Sequence, residues 1–358
     1  MAITAGAEGE ATLTPEQVTL AKLVKADTDN NGTCNIVDVQ KILRTAIGIE
    51  EDSEATDLDS NGYTSTEDAL VLLKHLSGIA PLVSQGELLD IVNSKLNAVK
   101  TEKPGFTGVS TAQCTSMKVT QKFNAVGSSL LDSVLVAALN SELSKMSYTD
   151  LEYDKYVDKM VEQLESSKNA DGMTAEDKAE IDKEIEAMRK SAATYKDAEI
   201  AEKTIEPLNA NGHRNYFPRS GESVVSSALT LSDIDKITYS INNGEIVLNL
   251  LMKNNTYNNS TYPKTSAGLA DIPYGKAFNV PFLRGETGST LTSAEYKNGK
   301  ISVTLDKDTA EMTKAVYTYS YFSDIKAATK KMDYTETLYV TVDMATKMYV
   351  SINETFTF

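Results

Sequence analysis

The stretch DTDNNGTCNIVD, residues 27–38, decides how this chain is read, because residues 57–68 repeat it as DLDSNGYTSTED. Each copy places oxygen-bearing side chains at loop positions 1, 3, 5 and 12. These are Asp27, Asp29, Asn31 and Asp38 in the first copy, and Asp57, Asp59, Asn61 and Asp68 in the second. Hard oxygen donors at that spacing suit calcium, which takes about six to eight of them around a tightly turned backbone. Position 6 is Gly32 and then Gly62, the residue type that tolerates the dihedrals such a turn demands. Thr33 and Tyr63 at position 7 would offer their carbonyls, and Asn35 and Ser65 at position 9 would act directly or through water. The bland alternative is an acidic turn ahead of a helix, with Asp38 and Asp68 merely solvated; it explains one copy better than two in register.

A helix is expected after each loop, in VDVQKILRTAIGI and in EDALVLLKHLSGI. Val39, Ile42, Leu43 and Ala46 align with Ala69, Leu72, Leu73 and Leu76, a spacing that makes one apolar stripe per helix. The two helices are therefore expected to pack on each other, with Leu43 and Leu73 serving the core. Only IEEDSEAT, residues 49–56, separates the first helix from the second loop, so the repeating unit is a loop plus the helix that leaves it. Cys34, at position 8, reads as packing where the loops meet, and His75 as a capping or rim residue.

This pair of loop–helix units, residues 21–82, resembles a type I dockerin, the module that attaches cellulosomal proteins to cohesin domains on a scaffoldin. The resemblance implies two Ca2+ ions, a cohesin partner bound across the helices, and a secreted, cellulosome-associated protein in polysaccharide degradation. It also implies cohesin contacts at positions 10 and 11 and along each helix: Ile36, Val37 and Arg44 in the first unit, Thr66, Glu67 and Lys74 in the second. Many family members carry Ser-Thr-like pairs at positions 10 and 11 in both repeats. Here the pairs are Ile-Val and Thr-Glu, so a single preferred face centred on Ile36 and Val37 is expected.

The 358-residue length favours more than one core. The net charge of −16 argues against nucleic acid as a partner and against anionic membrane surfaces. That charge is concentrated near one end: residues 1–83 hold fourteen acids against five Lys and Arg. No apolar run is long enough for a membrane span, and MAITAGAEGEATLTPEQ lacks the basic and hydrophobic parts of a signal peptide. Two cysteines, Cys34 and Cys114, are too few for a disulfide framework, and spacing leaves their pairing open.

The expected division is residues 1–20 as a tail or the start of a first helix, 21–82 as the small all-α docking unit, 83–86 as linker, and 87–358 as an α+β cargo domain. In the cargo, residues 87–200 read as mostly helical and 230–358 as mostly strand, giving helices over one face of a curved antiparallel sheet. Residues 86–100, 128–145, 150–166 and 174–196 suit helices, and 115–123 suits a strand. Asn-Asn-Gly at 242–244 and Asn298-Gly299 read as hairpin turns. TLYVTVDM and KMYVSINETFTF read as separate strands.

No catalytic constellation stands out. His213 has no nucleophile or carboxylate pattern beside it, no phosphate or dinucleotide loop is present, and no carboxylate pair can be chosen by spacing. The expected cargo is a non-catalytic binding domain for a carbohydrate or an apolar ligand. The alternatives are a polysaccharide hydrolase with unrecognised carboxylates, and a calcium-stabilised binding protein outside any cellulosome. Tyr317, Tyr319 and Tyr321 share one face of a strand and read as sheet packing before a sugar shelf. The C-terminal region also resembles uncharacterised clostridial secreted regions, which implies no activity.

Overall fold

The computed structural model describes residues 15–59, 61–127, 130–207, 227–257, 290–327, 329–333 and 337–358. Residues 1–14 and His213 lie outside the described residues. The architecture is α+β: seven helices and a ten-stranded antiparallel sheet among the described residues.

The chain begins with α1 (Pro15–Lys25), which leads into the first repeat loop; α2 (Ile36–Ala46) follows that loop and α3 (Thr66–Leu76) follows the second. The helices start where they do because the loops cap them. Asn35 and Ser65 accept hydrogen bonds from the first-turn amides, while Asp38 and Asp68 accept from the Asn35 and Ser65 N–H groups. Each repeat thus closes with a reciprocal capping box. α2 and α3 pack on each other, as expected.

The buried face is narrower than the apolar stripe. Val39, Ile42, Ala69 and Leu72 are buried, whereas Leu43 and Leu73 are 39% and 43% exposed and do not serve the core. Leu43 and Leu73 directly follow the fully buried Ile42 and Leu72, and at about 100° per residue that step carries them off the packed face.

The chain continues into α4 (Gln85–Glu102), capped by Ser84, and ends that helix at Lys103 in the left-handed conformation. Then come β1 (Phe106–Gly127), α5 (Leu130–Lys145), β2 (Tyr148–Glu152), α6 (Tyr153–Ser167), α7 (Ala175–Thr194) and β3 (Glu199–Ile205). The remaining strands are β4 (Ile234–Asn242), β5 (Glu245–Met252), β6 (Asn255–Tyr257), β7 (Thr290–Asp306), β8 (Met312–Lys326), β9 (Lys330–Asp333) and β10 (Leu338–Thr357). The spatial order is β2-β1-β10-β8-β7-β5-β4, with β3 on β1, β6 on β7 and β9 on β10.

Three sequence expectations are corrected. The strand expected at 115–123 is the alternating part of a longer one, β1, which pairs with β10 from Thr107 to Gly127. Its first half, FTGVSTAQC, is half-buried at both parities from Thr107 to Ala112, where small and polar residues carry no period-two signal. TLYVTVDM and KMYVSINETFTF form one strand, because no breaker separates them and the even-numbered residues stay buried apart from Met344. Asn298-Gly299 is a bulge within β7: the register jumps from Lys297↔Ser320 to Lys300↔Thr318, leaving two residues opposite Tyr319. Asn243-Gly244 is the expected two-residue hairpin turn, with positive φ at both positions.

Both helical layers cover the same face of the sheet. Met348 packs with α6 and α7, while Val350, two residues along β10, packs with the cluster that contains α1 to α4. That larger cluster runs without a break from Leu23, Ile42 and Leu72 through Val83, Ile91 and Leu96 to Ile246, Leu248 and Val303. Tyr317, Tyr319 and Tyr321 are buried in it, in agreement with the packing reading. The opposite face is mostly polar.

The first loop sits directly on the sheet. Cys34 N–H donates to Ile241 O, and a Cβ at Gly32 would lie 2.7 Å from the Gly244 nitrogen. Gly62, at the same position of the second loop, has nothing within 4 Å of its Cβ site. Both glycines have positive φ, 85° and 97°. Gly62→Ala is therefore expected to cost about 1–2 kcal/mol of backbone strain, and Gly32→Ala at least ~1 kcal/mol more because backbone must also move. Denaturant melts of the two variants check this; equal losses would contradict the contact.

Candidate metal centre

The two loops fold into the same hydrogen-bond frame. In the first, Asp27 Oδ1 accepts from Asn31 N–H at 3.0 Å and Asp27 Oδ2 from Gly32 N–H at 2.9 Å. In the second, Asp57 Oδ1 accepts from Asn61 N–H at 3.1 Å and Asp57 Oδ2 from Gly62 N–H at 2.9 Å. Asn31 and Asn61 each donate a side-chain N–H to the aspartate two residues before, Asp29 and Asp59. Their carbonyl oxygens accept from Thr33 and Tyr63 N–H. Position 12 closes each loop: Asp38 Oδ1 accepts from Asp29 N–H, and Asp68 Oδ1 accepts from Leu58 and Asp59 N–H.

This frame brings three carboxylates together twice. Asp27, Asp29 and Asp38 each place one ligand atom within 4.8 Å of the other two, and Asp57, Asp59 and Asp68 do the same. Asp38 and Asp68 have no exposed surface, so the solvated-turn alternative does not describe them. Buried carboxylates that converge without a cation repel one another and lose hydration. Burial raises the Asp38 carboxyl above its usual value despite hydrogen bonds from Asn35 and Asp29, and the charges of Asp29 and Asp27 raise it further. For Asp57, burial pushes upward but is outweighed by the Gly62 and Asn61 amides, so the carboxyl ends below its usual value. Two acidic triads of this kind could hold metal ions.

The donor set fits a hard divalent cation, since each triad offers carboxylates with an Asn beside them and no imidazole. Cys34 lies at the edge of the first loop, where burial and the nearby Asp38 and Asp27 push its thiol up to about 12. That suppresses the thiolate a metal would need. Cys114 is pushed up to about 11, chiefly by burial, and both cysteines are free.

Outside the ligand sets, the expected contact residues all reach the surface. Ile36, Val37, Thr66, Glu67 and Lys74 are exposed, and Arg44 is exposed and paired with Glu50 at 2.7 Å. Around them Leu43, Ile47, Ile49, Leu70, Leu73, Leu76 and Ile79 leave α2, α3 and their ends with exposed large apolar residues. His75 is not at the rim: it is half-buried and stacks on Tyr239 of β4, with ring centroids 4.9 Å apart and planes 10° from parallel. Burial lowers its imidazole below the usual value.

One participant was missed by the sequence. Lys307, just beyond β7, donates from Nζ to Asp27 Oδ2 at 2.7 Å and to Asn30 Oδ1. Its side chain is 5% exposed and that of Asp27 is 0% exposed. Burial would raise the Asp27 carboxyl, but Lys307 and the Gly32 amide outweigh it and hold the carboxyl below its ordinary value. No local signal marks Lys307, because its partner lies 280 residues away.

Both thiols are expected to resist alkylation in the native protein at neutral pH and to react promptly once denatured. Timed iodoacetamide labelling read by mass spectrometry checks this; rapid native labelling of Cys34 would contradict its burial against the acidic loop.

No family model, curated protein or solved structure matches this chain. Among the described residues no helix is long and apolar enough to cross a membrane.

Proposed function

We propose that residues 21–82 are a calcium-dependent docking module of the type I dockerin kind, which attaches the rest of the chain to a cohesin domain on a scaffoldin. The observation that carries this reading is the paired frame: two loops with matching carboxylate geometry, each fixing the start of a helix. Calcium is the cation the oxygen donor set suits best. An ion in each loop would offset the repulsion among three carboxylates and hold α2 and α3 in place, so that binding and folding of this unit reinforce each other.

The exposed apolar residues of α2 and α3 supply what a partner would cover. Isolated exposed apolar residues need no explanation, but a run of large ones along two adjoining helices does. In the first unit this surface is led by Ile36 and Val37, where the second unit has Thr66 and Glu67. An aliphatic pair gains more from being covered than a Thr-Glu pair does, which favours one orientation of the partner. Extracellular, cellulosome-associated placement follows from the same reading.

For the cargo, the polar face of the sheet favours a carbohydrate over an apolar ligand. Across β4, β5, β7 and β8 two registered rows, Thr238-Asn249-Ser302-Val316 and Lys236-Leu251-Lys300-Thr318, line a depression of about 440 Å³. Further along that face Phe322 and Tyr349 pair across β8 and β10 at 4.8 Å, with Tyr349 exposed. Hydroxyls and amides beside an aromatic ring suit a sugar chain, whereas the interface between α4 and the sheet is already filled by Ile91, Val92 and Leu96.

Docking is tested by titrating cohesin domains over the immobilised protein with calcium and with chelator. Calcium-dependent binding is expected, and Ile36→Asp with Val37→Asp is expected to weaken it at least ~10-fold more than Thr66→Lys with Glu67→Lys. Unchanged binding in excess chelator would refute the docking role, and equal losses would refute the single preferred face. For the cargo, Asn249→Ala with Thr318→Ala is expected to reduce retention on a panel of soluble polysaccharides in affinity electrophoresis. Retention unaffected by that pair would remove the sheet face as the ligand surface.

A further inference from the structure

We propose that Lys307 is a built-in cation of the first loop, which makes it the weaker of the two divalent-cation sites and links its occupancy to the seating of the sheet. The inference rests on the calcium reading above and concerns how the two sites differ. Their main-chain and side-chain frames match hydrogen bond for hydrogen bond at positions 1, 3, 5 and 6. The difference lies in what approaches position 1.

At the first loop, Asp27 Oδ2 accepts from the Lys307 ammonium at 2.7 Å as well as from Gly32, and both side chains are almost completely buried. A cation in this loop must therefore share the Asp27 carboxylate with a positive charge already present. Like charges that close, away from bulk water, oppose each other strongly. The Lys307 backbone is fixed beside the loop, since its main-chain N–H donates to Gly244 O at 2.9 Å and the adjoining turn is held by Asp306 N–H to Glu311 O. Gly244 in turn lies against Gly32. The main chain that carries the ammonium is thus anchored by the same β4–β5 hairpin on which the loop rests.

At the second loop the neighbouring cation, Lys25, is placed differently: its Nζ donates to the main-chain oxygen of Asp57 at 3.2 Å, and it is only partly buried. The second loop, with no contact at its Gly62, should fill first. By linkage, an ion in the first loop weakens the grip of Asp27 on Lys307 by the factor by which Lys307 weakens the ion. Lys307 consequently braces position 1 of the first loop before metal arrives, and calcium acts there late and on the seam with the sheet.

Calcium titration calorimetry on the full chain tests this. Two phases separated by about tenfold or more are expected, with Asp57→Ala removing the tighter one. In the Asp57→Ala background, Lys307→Met is expected to tighten the remaining binding about tenfold, while Lys307→Arg leaves it in place. If Lys307→Met does not fold, judged by circular dichroism, Lys307→Gln removes the charge while keeping a donor and is expected to tighten binding likewise. Equal affinities at the two loops, loss of the weaker phase in Asp57→Ala, or unchanged first-loop affinity in the neutral variants would overturn the inference. Those outcomes leave calcium binding intact, whereas no calcium bound by the unaltered chain would sink the calcium reading and this inference with it.

Discussion

Two aspartates with no exposed surface, Asp38 and Asp68, set the constraint from which the rest of the N-terminal structure follows. A carboxylate taken out of water must be met by donors or by a cation. Each here accepts from its own loop through Oδ1 and from the residue that caps the next helix through Oδ2. One side chain therefore closes a loop and starts a helix. Residues at positions 1 and 3 are drawn toward the same point, and three carboxylates gather where a divalent ion would offset most of their charge.

The repeat is not symmetric in its surroundings. The first loop is pressed on the β4–β5 hairpin by Cys34, Gly32 and the buried Lys307–Asp27 pair, and α3 reaches the same strand by stacking His75 on Tyr239. Asn93 and Asn97 of α4 make a parallel connection, accepting from Leu229 and Ser227 N–H and donating to the carbonyls of the same two residues. The loop–helix pair is thus continuous with the core of the sheet on one side while its other side presents exposed aliphatic residues. An ion bound in the loops would act on both sides at once.

Legibility in the sequence followed the range of the interactions. The capping boxes, the two carboxylate sets and the Asn243-Gly244 turn are local, and their residue types announced them. Helices at 85–102, 153–167 and 175–194 were readable because an apolar period or a capping residue marked each one. Asn298-Gly299 carried the same local signal as Asn243-Gly244 yet became a bulge, because the strand partners on both sides, not the dipeptide, decide whether a chain reverses. Leu43 and Leu73 looked like core because they are apolar at a helical spacing, but the packed face is too narrow to include them. Lys307 was invisible for a different reason: a lysine gives no hint of which carboxylate, hundreds of residues away, it will meet.

We read the doubled loop as a pair of calcium sites that order the helices behind them. Native mass spectrometry of the full chain, equilibrated with calcium and then with chelator, with melting followed on the same samples, tests it most directly. Two bound ions are expected, with a melting temperature that falls when they are removed. A chain that carries no calcium, and melts at the same temperature in chelator, would contradict it.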